Sequence, residues 1–540
     1  MFPTLTPEQI ARVAAHGVKR RVSAGEVLFE PGDRPPFFVV TAGKLEIVRP
    51  SGSVETMVAE GGPGSFTGEA NLLTGRPTFM RGRVSQSGEV IEVTREQLLG
   101  VIQTDPEISQ ILMRAFIFRR MDLISHHIGD VVLIGSRHSA PTLRVKEFLT
   151  RNGHPFTYTD LDRDADAQDL LDRFHVAAVD VPVLICRGDV VLRNPSNQQI
   201  ADCLGFNDSI DRTHVRDVVI VGAGPAGLAA AVYGASEGLD VLVLEANAPG
   251  GQAGSSSRIE NYLGFPNGVS GGDLTGRAAS QALKFGAQMM IAKGATGLTC
   301  DRKPFAVQLG DNSRLSARAV IIATGAEYRR PAIANLLRFE GAGVYYMATF
   351  MESQLCTGEE VIVVGGGNSA GQAAMFLSQT ASRVNMLVRF DGLADSMSRY
   401  LVRRIEETPS IVVHTRSEIV ALEGGDHLES VLCRTPDGGV KSHDIRHVFL
   451  MTGAVPNTAW LHGCVALDAN GFVKTGSDIS RDELAAARWP LARAPHLLET
   501  TLPGVFAVGD VRGGNVKRVA SAVGEGSIAI SFVHRVLAES

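Results

Sequence analysis

The sequence DVVIVGAGPAGL (residues 217–228) decides the fold of the C-terminal part of the chain. A continuous β-branched run leads directly into Gly222, Gly224 and Gly227. In a strand–loop–helix unit of this kind, the first glycine makes a tight turn and the second lets the backbone approach a pyrophosphate. The third packs the helix against the strand. The free N–H groups at the start of the helix then bind the negative charge. The pattern predicts a dinucleotide-binding α/β unit.

A second predicted strand, residues 240–244, ends at Glu245. In a dinucleotide-binding unit, an acid at this place accepts hydrogen bonds from the ribose. A glycine loop also occurs in tight strand–helix turns that bind no ligand, and this is the alternative interpretation. Strand, loop, helix, second strand and terminal acid occur together here, which favours a binding site.

The same pattern returns in EVIVVGGGNSA (residues 360–370) and predicts a second nucleotide-binding unit, inserted into the first. The strand that follows, residues 383–388, is succeeded by Arg389 and not by an acid. A guanidinium is planar, permanently charged and bidentate, so Arg389 favours a 2′-phosphate and hence NADP(H) over NAD(H). A solvated loop charge is the alternative. Nearby arginines either share this role or lie on a helix face: Arg399, Arg403 and Arg404.

The first 206 residues show two other patterns. Residues 1–127 begin with a short helix after Thr6 and Pro7. Short strands with turn signals then predict an antiparallel β-roll, which is closed by a helical run at 97–121. The strands are predicted at 26–29, 37–42, 44–49 and 84–94. Residues 128–206 alternate strand and helix, which favours an α/β unit. Its strands are predicted at 131–134, 156–160 and 179–186, and its helices at 141–150, 165–174 and 197–204.

Composition and charge exclude several classes of protein. A chain of 540 residues predicts about three to five domains. The net charge of −6 argues against nucleic acid as the main partner. The most apolar stretch, residues 218–235, contains the glycine loop, so we reject a membrane span, and the N-terminus has no secretory pattern. Six cysteines without C-x-x-C or metal-ligand spacing predict reduced thiols in a cytoplasmic protein that binds no metal.

Residues 215–540 resemble the low-molecular-weight thioredoxin reductases, because further motifs follow in the order of that family. They are GGQ (250–252), ENYLGFP (260–266), ATG (323–325), Gly453 with PNT (456–458), and GVFAVGD (504–510). The resemblance implies an FAD-binding domain at 215–332 and 453–540, with an inserted NADPH-binding domain at 333–452. The fold class is therefore multidomain: a β-roll with a C-terminal helix, a thioredoxin-like α/β domain, and two Rossmann-like α/β domains. The family also implies a homodimer.

The resemblance assigns cofactor contacts residue by residue. Asp510 is expected to bind the ribityl chain of FAD, and residues 517–519 to lie near the isoalloxazine edge. Arg518 stands where the family usually has Gln, which places a positive charge there. The FAD contacts are Gly222, Gly224, Pro225, Ala226, Gly227, Glu245, Gly251, Gln252, Asn261, Ala323, Thr324, Gly325, Gly509, Asp510, Lys517, Arg518 and Val519. The NADPH contacts are Gly365, Gly367, Asn368, Ser369, Ala370 and Arg389.

The family's redox-active C-A-T-C is replaced here by MATF (residues 347–350). Neither Met347 nor Phe350 can form or attack a disulfide, since exchange needs a thiolate, so no catalytic residue is assigned. A pocket of Met347, Phe350 and Met351 would suit an aromatic acceptor, although the same residues suit ordinary packing. Cys356 is interpreted as a buried small residue. The prediction is an FAD-dependent NAD(P)H oxidoreductase whose acceptor is a quinone, oxygen, a second flavin, an external disulfide or a redox partner. The alternative is a flavin- or nucleotide-responsive sensor with little turnover.

The two N-terminal units carry resemblances of their own. FTGEANLLTGRP (residues 66–77) resembles cyclic nucleotide-binding domains, which implies a ligand pocket at Gly68, Glu69 and Arg81. Thr78 and Phe79 stand where those domains place the phosphate-binding Arg. The alternative to a nucleotide-binding role is that Glu69 is a structural carboxylate. No helix-turn-helix follows. Residues 128–206 resemble glutaredoxins and thioredoxins, with a cis-proline expected at Val181–Pro182 and SAPT (139–142) in place of the active-site cysteines.

Overall fold

The computed structural model describes residues 3–51, 54–68, 74–125, 129–137, 139–163, 180–186, 190–207, 210–256, 258–348, 350–394, 397–461 and 463–539. Within these ranges, no helix combines the length and the apolar composition that a membrane crossing requires. The apolar stretch around the first glycine loop instead forms a strand and a helix on either side of the loop.

The N-terminal unit is an antiparallel roll with strand order β1-β6-β3-β4, in which β2 pairs with β6 and β5 with β3. Its elements are α1 (Pro7–Ala14), β1 (Val18–Val22), β2 (Val27–Phe29), β3 (Phe37–Ser51), β4 (Val54–Gly61), β5 (Phe66–Thr67), β6 (Arg81–Val93), α2 (Arg95–Thr104) and α3 (Pro106–Ser125). The predicted first helix is confirmed, with Thr6 and Gln9 forming a reciprocal cap.

Two features of this roll differ from the prediction. The strands predicted at 37–42 and 44–49 are one strand, because Gly43 (φ +82°) lets the backbone pass through an irregular register without a break. The predicted helical run at 97–121 is two helices. Asp105 precedes Pro106 and is extended (φ −114°, ψ 98°), since a residue before proline is disfavoured in the helical region.

The middle unit has a four-stranded sheet in the order β10-β9-β7-β8, with β7 and β8 parallel and the other pairs antiparallel. Its elements are β7 (Val131–Gly135), α4 (Ala140–Arg151), β8 (Thr157–Asp160), β9 (Val183–Cys186), β10 (Val190–Arg193) and α5 (Asn197–Cys203). The Val181–Pro182 peptide is cis, as predicted. The helix predicted at 165–174 lies outside the described residues. The short edge strand β10 was not predicted.

The C-terminal part begins with a largely parallel sheet in the order β13-β12-β11-β16-β15-β14. Its elements are β11 (Arg216–Val221), α6 (Pro225–Ser236), β12 (Val241–Glu245), α7 (Gly251–Gly254), α8 (Gly271–Lys284), β13 (Gln288–Ile291), β14 (Ala295–Thr299), β15 (Phe305–Leu309), β16 (Arg314–Ile322) and β17 (Ala326–Tyr328). Strands β11, β12 and β16 are buried and run parallel, so their carboxyl ends share one edge.

A second parallel sheet follows in the order β18-β25-β19-β20-β21, next to a three-stranded sheet β22-β23-β24. Its elements are α9 (Leu336–Phe339), β18 (Val344–Tyr345), α10 (Phe350–Leu355), β19 (Glu360–Val364), α11 (Asn368–Leu377), β20 (Arg383–Val388), α12 (Arg399–Glu406), β21 (Ile411–Thr415), β22 (Glu418–Gly424), β23 (Leu428–Arg434), β24 (Val440–His443) and β25 (His447–Leu450).

The chain then returns to the first sheet. Strand β26 (Ala454–Pro456) pairs antiparallel with β17, and β27 (Val505–Ala507) adds to the sheet beside β16. Helices α13 (Arg481–Ala486) and α14 (Val519–Glu539) complete this part. The second sheet is therefore nested within the first, although the predicted domain boundaries stay predictions.

Candidate functional site

Both glycine loops open onto one cavity of about 1210 Å³ at the carboxyl ends of the parallel strands. Two predicted cofactor contacts are not part of its lining: Gly227 and Asn261, the latter lying on a separate small pocket at residues 260–266. The cavity brings the other predicted contacts together: Gly222, Gly224, Pro225, Ala226, Glu245, Gly251, Gln252, Ala323, Thr324, Gly325, Gly509, Asp510, Lys517, Arg518, Val519, Gly365, Gly367, Asn368, Ser369, Ala370 and Arg389.

The three glycines of the first loop have three different surroundings. Gly222 has φ +110°, and a Cβ there would lie 2.3 Å from the Ala323 carbonyl oxygen. A Cβ on Gly227 would lie 1.9 Å from the Gly222 oxygen, so this glycine serves helix–strand packing and not the cavity. A Cβ on Gly224 would meet no protein atom closer than Gly251 Cα at 3.9 Å. The loop therefore leaves an open cradle at its second glycine.

Glu245 is held at the cavity edge by the backbone. Its carboxylate accepts hydrogen bonds from Ala223 N (2.8 Å) and Asn247 N (2.9 Å), and its side chain is buried. Burial raises the pKa of Glu245, while the two N–H donors and the charge of Arg151 oppose that rise. Each carboxylate oxygen can accept more than one hydrogen bond, so the acid retains capacity for a ligand hydroxyl.

Three cavity-lining side chains carry buried polar atoms with no hydrogen-bond partner among the described residues. They are Arg151 Nε, Ser255 Oγ and Trp460 Nε1. Buried polar atoms are ordinarily paired, so these atoms fit a polar ligand in the cavity. With the open cradle at Gly224, they make the site chemically suited to a dinucleotide such as FAD.

A carboxylate that the sequence analysis missed organises the other end of the cavity. Glu525 accepts from Gly509 N (2.7 Å) and from the Arg512 guanidinium (2.6 Å). It thereby fixes the turn that presents Asp510, whose pKa is raised by burial. Lys517 is exposed, with its ammonium 4.9 Å from the centre of the Phe472 ring. No local motif marks Glu525, since its partners lie on a preceding loop.

The strand after the second loop leads to a candidate phosphate-binding cation, Arg389. Arg389 follows β20, is exposed, and has no carboxylate at ion-pair distance within the described ranges. Arg404, on helix α12, also lines the cavity, but it donates a hydrogen bond of 2.9 Å to Glu260, which lies between α7 and α8. Arg403 pairs with Glu407 on the helix surface, and Arg399 does not contribute to the lining. Of these four arginines, Arg389 is thus the one that lines the cavity without a described ion pair, and it is available to a phosphate.

Met347 and Phe350, the two residues predicted to stand in place of a cysteine pair, have different surroundings. Met347 lines the cavity, whereas Phe350 is 69% exposed and does not. The side chain of Met351 lies outside what the structure describes. The expectation of a shared aromatic-binding pocket at these residues is therefore wrong for Phe350, because the start of α10 turns its ring to solvent.

Residues 216–526 match the family model described as pyridine nucleotide-disulphide oxidoreductase. The chain belongs to this family. It is 33% identical over 317 residues to the thioredoxin reductase of Listeria innocua, covering 58% of this chain and 92% of that protein. The Bacillus subtilis thioredoxin reductase is 31% identical over 326 residues (60% and 96%). The crystal structure of Lactococcus lactis thioredoxin reductase (FR conformation) is similar at a TM-score of 0.54 and 27% identity, covering 60% of this chain and all of that one.

Thioredoxin reductase family proteins bind FAD and use NADPH. Residues 19–105 match the cyclic nucleotide-binding domain model, so this oxidoreductase also carries an N-terminal domain of that family. Neither N-terminal unit is part of the match at 216–526.

One expectation about the cysteines of this oxidoreductase is wrong. Cys300 and Cys464 form a disulfide, with Cα atoms 5.9 Å apart, although six reduced thiols were expected. Their separation of 164 residues gives no local spacing signal. Neither cysteine lines the cavity. Cys356 and Cys433 are free thiols, and burial raises the pKa of Cys356 to about 11, which fits an inert thiol.

The predicted nucleotide contacts of the N-terminal domain are only partly described. Gly68 has φ +98° and directly follows β5, while Glu69 lies outside the described residues. Arg81 donates to Glu30 and to Glu55, so its charge is already balanced by two carboxylates. Of the other nearby arginines, Arg83 bonds Glu46 and Glu55, and Arg76 donates to the Asn152 carbonyl.

Proposed function

We propose that the protein is an FAD-dependent NAD(P)H oxidoreductase that passes electrons from NADPH, by way of FAD, to an acceptor that is not part of the chain. The observation that carries the proposal is the single cavity. Both glycine loops line it, and no cysteine does among the described residues. A nicotinamide and a flavin bound there would share one cavity, in which the described residues place no cysteine pair that could take the electrons.

The chain's own groups bind and orient the two nucleotides. FAD, when bound, supplies the group that accepts a hydride from nicotinamide. The N–H groups at the starts of α6 and α11 bind the diphosphates, since both helices begin at a glycine loop. Glu245 accepts from the adenosine ribose of FAD, and Asp510 from its ribityl chain. Arg389 neutralises the 2′-phosphate of NADPH. Met347 places an apolar thioether on the cavity wall and excludes water there.

Stopped-flow mixing tests this function. NADPH added to the anaerobic holoprotein is expected to bleach the visible flavin band quickly, and a quinone or an external disulfide then restores it. The Cys300→Ser/Cys464→Ser double variant is the matched control and is expected to behave like the wild type. If only the variant fails to reduce the acceptor, the bridge carries the electrons and the proposed path is wrong.

The second candidate is a sensor with little turnover, and one contact favours it. Arg76 follows the loop of the cyclic nucleotide-binding family domain, and its Nη1 donates to Asn152 O at 3.0 Å in the middle unit. Asn152 directly follows Arg151, which lines the flavin cavity. A flavin that neither NADPH nor NADH bleaches would support the sensor.

Arg389→Ala is expected to raise the KM for NADPH about ten- to a hundredfold, with that for NADH unchanged. One charge-assisted bond to a phosphate is worth about 1.5–3 kcal/mol. Steady-state kinetics with both nucleotides measure the effect. Arg403→Ala is the control, because Arg403 lies on the surface with Glu407. An equal rise in KM for NADPH and for NADH would contradict the 2′-phosphate role.

Glu245→Ala is expected to lower FAD affinity about ten- to a hundredfold, because the ribose loses its charged acceptor. Flavin content per protein after gel filtration measures the effect. Glu327→Ala removes an exposed acid from the same cavity wall and is expected to keep its flavin. Unchanged flavin content in Glu245→Ala would show that the acid does not hold the ribose.

A further inference from the structure

One arginine in the cavity comes from outside the oxidoreductase match. Arg151 is the last residue of α4 in the middle unit, and the match begins at residue 216. Its Nη2 donates to Gly251 O at 2.8 Å and contacts Ala248 O at 3.4 Å. Its Nη1 bonds Glu147 at 3.1 Å, and its side chain is only 15% exposed. The buried Nε has no hydrogen-bond partner within the described part of the chain.

The guanidinium lies beside the part of the cavity that suits a diphosphate. Gly251, which it bonds, packs against Gly224, the open cradle of the first loop. The second glycine of such a loop is the place where the backbone approaches a pyrophosphate. The charge of Arg151 also acts on Glu245, where it opposes the rise in pKa that burial causes. Arg151 therefore bonds a residue that packs against the phosphate loop and acts electrostatically on the ribose acid.

Hydrogen bonds and packing between the middle unit and the oxidoreductase part hold the Arg151 side chain in position. Asn207 exchanges two buried hydrogen bonds of 2.8 Å with the backbone of Ile291, at the end of β13. Asn197 donates to the Asn247 side chain at 2.7 Å. Ile291 also belongs to the same buried cluster as Phe148 of α4. The end of α4 is thus held by packing and by paired amides, so little entropy is lost when Arg151 binds a ligand.

We propose that Arg151 binds the diphosphate of FAD, so that the middle unit completes the flavin site of the adjoining oxidoreductase. A planar guanidinium binds phosphate oxygens through paired N–H groups, and the Nε of Arg151 donates to no described residue. This inference rests on the proposed FAD function. It assigns the middle unit a role that does not require active-site cysteines.

FAD titration of the flavin-depleted protein, followed by flavin fluorescence, tests the proposal. Arg151→Met keeps the length of the stem and is expected to weaken FAD binding about ten- to a hundredfold. Arg151→Lys is expected to restore part of the affinity. Glu147→Gln is the matched control on the same helix; it frees the guanidinium from its carboxylate and is expected to bind FAD as tightly as the wild type, or more tightly.

Two further readouts separate binding from folding. The affinity for NADPH is expected to be unchanged in Arg151→Met, and the melting temperature of the flavin-depleted protein is expected to fall only slightly, through the lost bonds to Gly251 and Glu147. FAD affinity equal to that of the wild type would overturn the proposal alone. A parallel loss of NADPH affinity and melting temperature would also overturn it, since Arg151 would then be a structural residue. A wild-type protein that binds no FAD would overturn the proposed function as well.

Discussion

The Gly224→Ala variant is expected to fold and to lose its flavin. Gly224 has an ordinary φ of −71°, and an added methyl would find its nearest protein neighbour 3.9 Å away. Alanine is a poorer N-cap than glycine, which costs the helix about 1 kcal/mol at most. The methyl would lie in the cradle that the pyrophosphate occupies. Losing two N–H bonds to charged oxygens costs about 3 kcal/mol or more, so FAD affinity is expected to fall at least about a hundredfold.

FAD titration and thermal melting of the flavin-depleted protein together measure this effect. The neighbouring Gly227→Ala variant is the contrasting case, because its Cβ would lie 1.9 Å from the Gly222 oxygen and the helix would have to move. That variant is expected to lose folded protein as well as flavin. If Gly224→Ala bound FAD as tightly as the wild type, the diphosphate would not lie on this loop.

The parts of the site that the sequence predicted are those whose structure depends on residues close together in the chain. The loop at Gly222–Gly227 specifies its own turn, helix start and close packing within a few residues, so a short pattern predicts them. Glu245 and Arg389 are found at the ends of their strands for the same reason. The cavity then follows from topology, since parallel strands bring their carboxyl ends to one edge.

The missed parts depend on contacts between distant segments. Arg151 bonds Gly251, which lies 100 positions further along the chain. Glu525 accepts a hydrogen bond from Gly509, which belongs to an earlier turn. The disulfide of Cys300 and Cys464 joins residues 164 apart. A charge or thiol in such a contact has the same local sequence as a solvated one, and only the packing of whole units distinguishes them. The short strand β10 was missed because an exposed edge strand needs no alternating apolar pattern.

The Arg493→Ala variant is expected to destabilise the flavin-binding part of the chain by about 3–5 kcal/mol. Glu499 is fully buried, and Arg493 binds both of its carboxylate oxygens, at 2.7 and 3.2 Å. Removing the arginine leaves a buried carboxylate without its counter-ion, which costs far more than losing a surface pair. Glu499 also accepts from Gly504 N, directly before β27. The substitution is therefore expected to destabilise the segment that leads to Asp510 in the cavity as well.

Urea unfolding followed by the release of flavin fluorescence measures this prediction, because that signal reports the flavin-binding part alone. Arg403→Ala is the control: its pair with Glu407 is 80% and 62% exposed, so little change is expected. Adding Glu499→Gln to Arg493→Ala is expected to recover part of the stability, since a neutral amide needs no counter-ion. A loss in Arg493→Ala as small as that in Arg403→Ala would mean that the backbone donors alone satisfy the carboxylate. The ion pair would then contribute nothing that the flavin site depends on.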